Sequence, residues 1–189
     1  MITPFKRAAA AGFTLIELLI VVIILAIISA IAIPQFSAAT SDAQQSAADA
    51  NLAAVRNAIE MYRAQHAANV FPGLKSSKDG AGCATGTKGT GDANTEQALK
   101  DQLMYPSNKD GQTCTIADDT YRYGPYLRQG IPADPFTNLA TVDVETTGAP
   151  LVATDAGGWA YDVKSGQFIL NKLADGAAGA GAGQQNEEN

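Results

Sequence analysis

The chain has 189 residues, with 13 Lys or Arg, 19 Asp or Glu and one His, for a formal charge of −6. That balance argues against a general phosphate-binding surface and so against nucleic acid as a partner. One histidine and two cysteines far apart leave no zinc spacing, and neither a phosphate loop nor a Gly-x-Ser-x-Gly elbow occurs. The composition therefore suggests no enzyme.

Residues 1–12 are short and basic through Lys6 and Arg7, and they end in a run of alanines and Gly12. From Phe13 to Ile33 there are 21 residues, of which only Glu17 is charged. A helix of that length is about 32 Å long, enough to cross the hydrocarbon core of a bilayer. A carboxylate at the bilayer centre costs roughly 2.5–3.5 kcal/mol on insertion scales, and less near the edge. An anchor alone would carry leucine there, so Glu17 is a functional candidate. No Lys or Arg follows the span until Arg56, which places the N-terminus in the cytoplasm and the bulk outside.

The block Gly12-Phe13-Thr14-Leu15-Ile16-Glu17, set before a spanning segment, resembles the leader of the type IV pilin and type II secretion pseudopilin family. The resemblance implies cleavage after Gly12 by a membrane prepilin peptidase, N-methylation of Phe13 by the same enzyme, and guidance of helical assembly by Glu17. Loss of residues 1–12 moves the charge from −6 to −8, because Lys6 and Arg7 leave and no acid does. The new ammonium on Phe13 would lie about one turn from Glu17. In a bundle of such helices it would pair with a neighbour's carboxylate where the dielectric is low, favouring one axial stagger. Two alternatives are an ordinary secretory signal, with Ala30-Ile31-Ala32 as its cleavage site, and an uncleaved anchor. Glu17 spoils the first, and neither explains Gly12.

Pro34 interrupts the helix and predicts a kink. In pilins the matching proline marks where the helix bends or melts within the filament. Beyond it Ala48, Leu52, Val55, Ile59, Tyr62 and His66 recur at helical spacing, one stripe of an amphipathic helix. Arg56, Glu60 and Arg63 lie opposite as ion-pair partners. The helix should run from about Thr14 to Ala67, ending before Val70-Phe71-Pro72-Gly73. His66 reads as a packed or boundary residue.

From Gly73 to Gly91 the chain is rich in Gly, Ser, Thr and Lys, which predicts a mobile loop. Asn94 to Met104 predicts a short helix with Asn94 as N-cap, Gln97 in capping-box position, and Leu99 and Leu103 as its buried pair. Tyr105-Pro106 stops it. Strands are expected at Tyr121–Tyr123, Thr141–Val144, Gly158–Val163 and Gln167–Asn171. Lys164-Ser165-Gly166 would join the last two as a hairpin, with Trp159, Tyr161, Phe168 and Leu170 on alternating faces. Residues 174–189 are low in complexity and predict disorder.

Cys83 and Cys114 lie beyond the span. In an oxidising exterior they would pair, closing a loop of about 32 residues for roughly 3–4 kcal/mol, and two free buried thiols are the alternative. Many type IV pilins fasten their C-terminal region with a disulfide, whereas this pair lies mid-chain.

The segments Gly124-Pro125-Tyr126-Leu127, Ile131–Phe136 and Gly157–Asp162 resemble the major pseudopilin group of type II secretion. That group holds a calcium ion in a C-terminal loop, which makes Asp134, Asp143, Asp155 and Asp162 calcium candidates. Solvated loop aspartates are the plainer reading, and no other cofactor is expected.

Together these readings predict an α+β fold in which a long kinked N-terminal helix packs on a small antiparallel β-sheet. The expected division is leader 1–12, membrane and assembly helix 13–33, amphipathic helix 34–68, globular head 69–173 and tail 174–189. The resemblance implies a filament subunit, first a type II secretion pseudopilin and second a surface pilin for adhesion, motility or DNA uptake. A membrane-anchored binding module is the more distant alternative. Expected partners are further copies, other pilin-like subunits, the peptidase, an inner-membrane assembly platform and, before assembly, membrane lipid. The expected location is the inner membrane with a periplasmic head, then a periplasmic or surface filament.

Overall fold

A computed structural model describes residues 13–66, 70–78, 83 and 86–173. The leader with Gly12, the expected helix end at Ala67 and the tail 174–189 lie outside the described residues. The elements in order are α1 (Leu15–Gln65), α2 (Glu96–Met104), β1 (Val142–Glu145), β2 (Trp159–Asp162) and β3 (Phe168–Leu170). The chain divides into two compact units, one up to Ala43 and one from Gln44 onward, and α1 contributes to both.

In the first unit α1 is apolar all round as far as Ile33, with Glu17 its one charge there. Its large side chains from Leu15 to Ile33 are 49–86 % exposed, so they are uncovered among the described residues. The helix continues through Pro34, which is therefore interior to α1 rather than its end.

In the second unit α1 has one buried face. Ala48, Val55, Ile59, Tyr62 and His66 are buried as their spacing predicts, Ala58 joins them, and Leu52 packs at the margin. These side chains meet Leu99 and Leu103 of α2 and Val142, Trp159, Tyr161, Val163 and Phe168 from the sheet region. Trp159 and Phe168 stack at 5.3 Å. Glu60 and Arg63 form the expected pair at 3.2 Å, but Arg56 donates from Nε to the Phe168 carbonyl at 3.0 Å, tying α1 to β3.

The sheet order is β1-β2-β3, with β2 and β3 antiparallel and β1 parallel to β2. The α+β class stands, but the sheet is mixed where a wholly antiparallel one was expected. Residues 146–158 supply the long crossover that a parallel pair needs. All four residues of β2 are buried, so the central strand does not alternate. The β2–β3 connection turns at Gly166 with φ +74°, as its glycine predicts. A Cβ there would enter the Phe71 ring, which lies over the turn.

Two local expectations fail. The N-cap of α2 is Thr95, whose hydroxyl accepts from the Ala98 N–H, while Asn94 adopts φ +64° one residue earlier. Tyr121–Tyr123 is not a strand. Asp118 Oδ1 accepts from the Thr120 and Tyr121 N–H groups, bending the chain, and only Tyr123 bridges to Ser107. The described parts of the Gly73–Gly91 segment are also fastened rather than loose, through Ser77, Gly89 and Gly91.

Candidate assembly and processing site

The N-terminal turn of α1 is built by two side chains. Glu17 Oε2 accepts from the Thr14 N–H at 3.2 Å and the Thr14 hydroxyl at 3.0 Å, and Thr14 Oγ1 accepts from the Glu17 N–H at 3.3 Å. This is a reciprocal capping box, satisfying N–H groups that the first helical turn leaves without partners. The Thr-x-x-Glu signature of Thr14 and Glu17 is the sequence signal for it. One carboxylate oxygen is thereby occupied. Oε1 makes no hydrogen bond among the described residues, and Glu17 and Phe13 are both exposed.

The four aspartates proposed for calcium do not converge. Asp134 is fully buried and accepts from the N–H groups of Phe136 (2.8 Å), Thr137 (3.1 Å) and Gly158 (3.2 Å) and from the Thr137 hydroxyl. Burial pushes its carboxyl up, but these hydrogen bonds together hold it below the usual carboxylate range. Asp162 is equally buried and accepts from the N–H groups of Lys164 (2.8 Å), Ser165 (2.7 Å) and Gly148 (2.8 Å) and from the Thr147 hydroxyl (3.2 Å). Here too hydrogen bonding outweighs burial and lowers the pKa. Both carboxylates organise turns, and their acceptor positions are filled by the protein. Asp143 is exposed on β1, and Asp155, at φ +62°, accepts from the Leu173 N–H. Among the described residues no three His, Cys, Asp or Glu side chains gather as a metal site, so these aspartates do not fit a shared calcium cage.

His66 is buried at the end of the α1 stripe. It stacks on Tyr62 with ring centroids 3.7 Å apart. Nδ1 lies 2.8 Å from the Tyr62 carbonyl and so carries the proton, and Nε2 lies 3.0 Å from Ser107 Oγ and accepts from it. Burial lowers the His66 pKa, opposed by contacts to the Tyr62 and Asn108 backbone. The ring is a packing element joining α1 to the 107 loop. Cys83 and Cys114 are joined in a disulfide with Cα atoms 5.6 Å apart, packed against buried Tyr121.

A family profile described as the prokaryotic N-terminal methylation motif matches residues 7–33, the stretch that contains Gly12, Phe13 and the capping box. The type II secretion system core protein G of Vibrio cholerae is 27 % identical over 153 residues, 76 % of this chain and 84 % of that protein. The chain thus carries a prepilin-type methylation motif and is similar over most of its length to a type II secretion core protein G. Core protein G of Aeromonas hydrophila is likewise 27 % identical, over 70 % of this chain and 72 % of its own length. The type IV narrow pilus major component PilA5 of Thermus thermophilus is 50 % identical over 56 residues, 30 % of the chain and 48 % of that protein. No solved structure matches.

Proposed function

We propose that this chain is a structural subunit of a type IV pilus-like filament, of the type II secretion pseudopilin kind, and does not act as an enzyme. The observation that carries the reading is the first unit of α1. Among the described residues it is an apolar helix without a partner, closed at its N-terminus by a carboxylate whose Oε2 alone is hydrogen-bonded. Such a helix lies in lipid as a monomer and against like helices in a polymer.

Cleavage after Gly12 would create the ammonium on Phe13. Glu17 Oε1 would receive the ammonium of a neighbouring copy while Oε2 keeps Thr14. A buried ion pair of this kind contributes mainly register. Lys6 and Arg7 before the span favour a cytoplasmic N-terminus, leaving the second unit in the periplasm. The peptidase, the assembly platform and other pilin-like subunits are the partners this reading requires.

Coverage of most of core protein G from two organisms favours the pseudopilin. The match to a Thermus pilus component favours a surface pilin, but it reaches only 30 % of the chain.

The deciding experiment is the mass of the N-terminal peptide from native membranes and filaments. A chain starting at methylated Phe13 is expected, and a start at Met1 or Ile33 overturns the reading. Glu17→Leu should abolish or shorten filaments while the subunit still inserts. Abundant subunit in a sheared surface fraction would move the assignment to the surface pilin.

A further inference from the structure

The described segment 86–91 lies flat between two supports. On one side the Gly89 N–H donates to the Thr113 carbonyl at 3.1 Å, the Thr115 N–H donates to the Thr87 carbonyl at 3.0 Å, and Lys88 bridges to Cys114. On the other side the N–H groups of Thr90 and Gly91 donate to Asp101 Oδ2 at 2.8 and 3.1 Å. A Cβ at Gly91 would overlap the α2 backbone at Gln97 and Ala98, and one at Gly89 would overlap Thr113 Oγ1 and the Ser77 carbonyl. Only glycine permits this approach.

Asp101 is buried at 3 % exposure. Its other partners are the Ser77 hydroxyl at 2.6 Å and the Gln97 amide at 2.7 Å, so the described residues offer it neutral donors alone. A buried carboxylate without a cation depends on keeping every donor, because each lost donor leaves charge uncompensated. Half of this set comes from a segment that contributes no large apolar side chain to the core. The covalent tie that holds this region to the 113–115 strip is Cys83–Cys114.

We propose that the Cys83–Cys114 disulfide and Asp101 form a redox-gated latch, in which oxidation docks segment 86–91 on α2 and reduction releases it. Closing the latch transfers two electrons from the paired thiols to an external disulfide, which leaves as a dithiol, and two protons accompany them. Opening it is the reverse exchange with a dithiol. The docked form would then be complete only after the second unit reaches an oxidising compartment. The latch itself is independent of the filament reading.

Amide hydrogen exchange on the full chain in detergent micelles tests it, comparing the oxidised protein with the phosphine-reduced protein and with Cys83→Ser/Cys114→Ser. Exchange at Gly89, Thr90, Gly91 and Thr115 should quicken at least tenfold on reduction, while Trp159 and Asp162 keep their protection. Asp101→Asn in the oxidised chain should free Thr90, quicken Gly91 less because it keeps Ser77 Oγ at 2.8 Å, and spare Thr115. If that variant does not fold, Ser77→Ala removes one donor from the same oxygen and is read at Thr90, because the Gly91 N–H also donates to Ser77 Oγ at 2.8 Å. Unchanged exchange on reduction overturns the latch. Equal loss of protection throughout β2 also overturns it, since the bridge would then be a global staple.

Discussion

A carboxylate buried without a cation must find its donors in the backbone, and Asp134 and Asp162 both do so. Asp162 holds three N–H groups and a hydroxyl at the β2–β3 turn, so Asp162→Ala would leave those donors facing an empty site. The expected cost is about 2–3 kcal/mol, read from urea unfolding with the slope unchanged. Titration separates these groups from His66. The carboxyls of Asp134 and Asp162 are lowered in the fold, so their contribution is complete above the unfolded value of about 3.9 and fades as pH falls through the folded values. His66 is lowered too, but it is a base kept neutral. The unfolded chain takes up its proton near pH 6.5, while the folded chain waits for a lower pH. Stability therefore declines first on acidification from about 6.5 until the folded His66 titrates, and again below about 4. Thermal midpoints measured from pH 8 to 3 should show both declines, and His66→Gln should erase the first alone. A single decline below pH 4 in the parent chain would show that His66 is protonated without penalty.

The N-terminus of α2 is closed by one residue, Thr95. Asn94 and Thr95 are both good caps, and the sequence offers no means of choosing between them. The chain places Asn94 at φ +64°, where an asparagine is tolerated and a glycine would be easier, and leaves capping to Thr95. Thr95→Ala should thus cost about 1 kcal/mol, whereas Asn94→Gly should be neutral within a few tenths. The reverse order would restore Asn94 as the cap. Glu96, in the first turn, reaches across to the Val142 N–H at 2.9 Å while pairing with Lys100 at 2.7 Å. That contact covers the outer edge of β1, as Arg56 covers β3 at the Phe168 carbonyl. Each edge of the short sheet thus has one backbone group taken by a side chain.

At the scale of the molecule, periodicity made α1 legible, since a fully apolar run and a 3–4 stripe describe its two units without further help. The β2–β3 hairpin was legible through Gly166 and its flanking aromatics. The parallel placement of β1 was not, because pairing across residues 146–158 is decided by packing on Trp159 and Tyr161 rather than by any local turn. The aspartates were visible as residues but not as turn organisers, because composition does not say whether a carboxylate faces a cation or the backbone. The division near Gln44 yields the broadest prediction. The buried stripe of α1 begins at Ala48, and Gln44 and Asn51 already donate to the carbonyls of Pro135 and Ala133 at 3.1 and 3.4 Å. Among the described residues the buried hydrophobic set begins at Ala48, while the large side chains from Leu15 to Ile33 present apolar surface. A fragment from Gln44 to Asn189 should fold as a soluble monomer without detergent. Its thermal midpoint should fall within about 4 °C of the full chain in micelles, because a shift that small corresponds to roughly 1 kcal/mol. The same fragment should fail to join filaments, having lost Phe13 and Glu17. A fragment that needs detergent, or melts without cooperativity, would mean that residues before Gln44 complete the core.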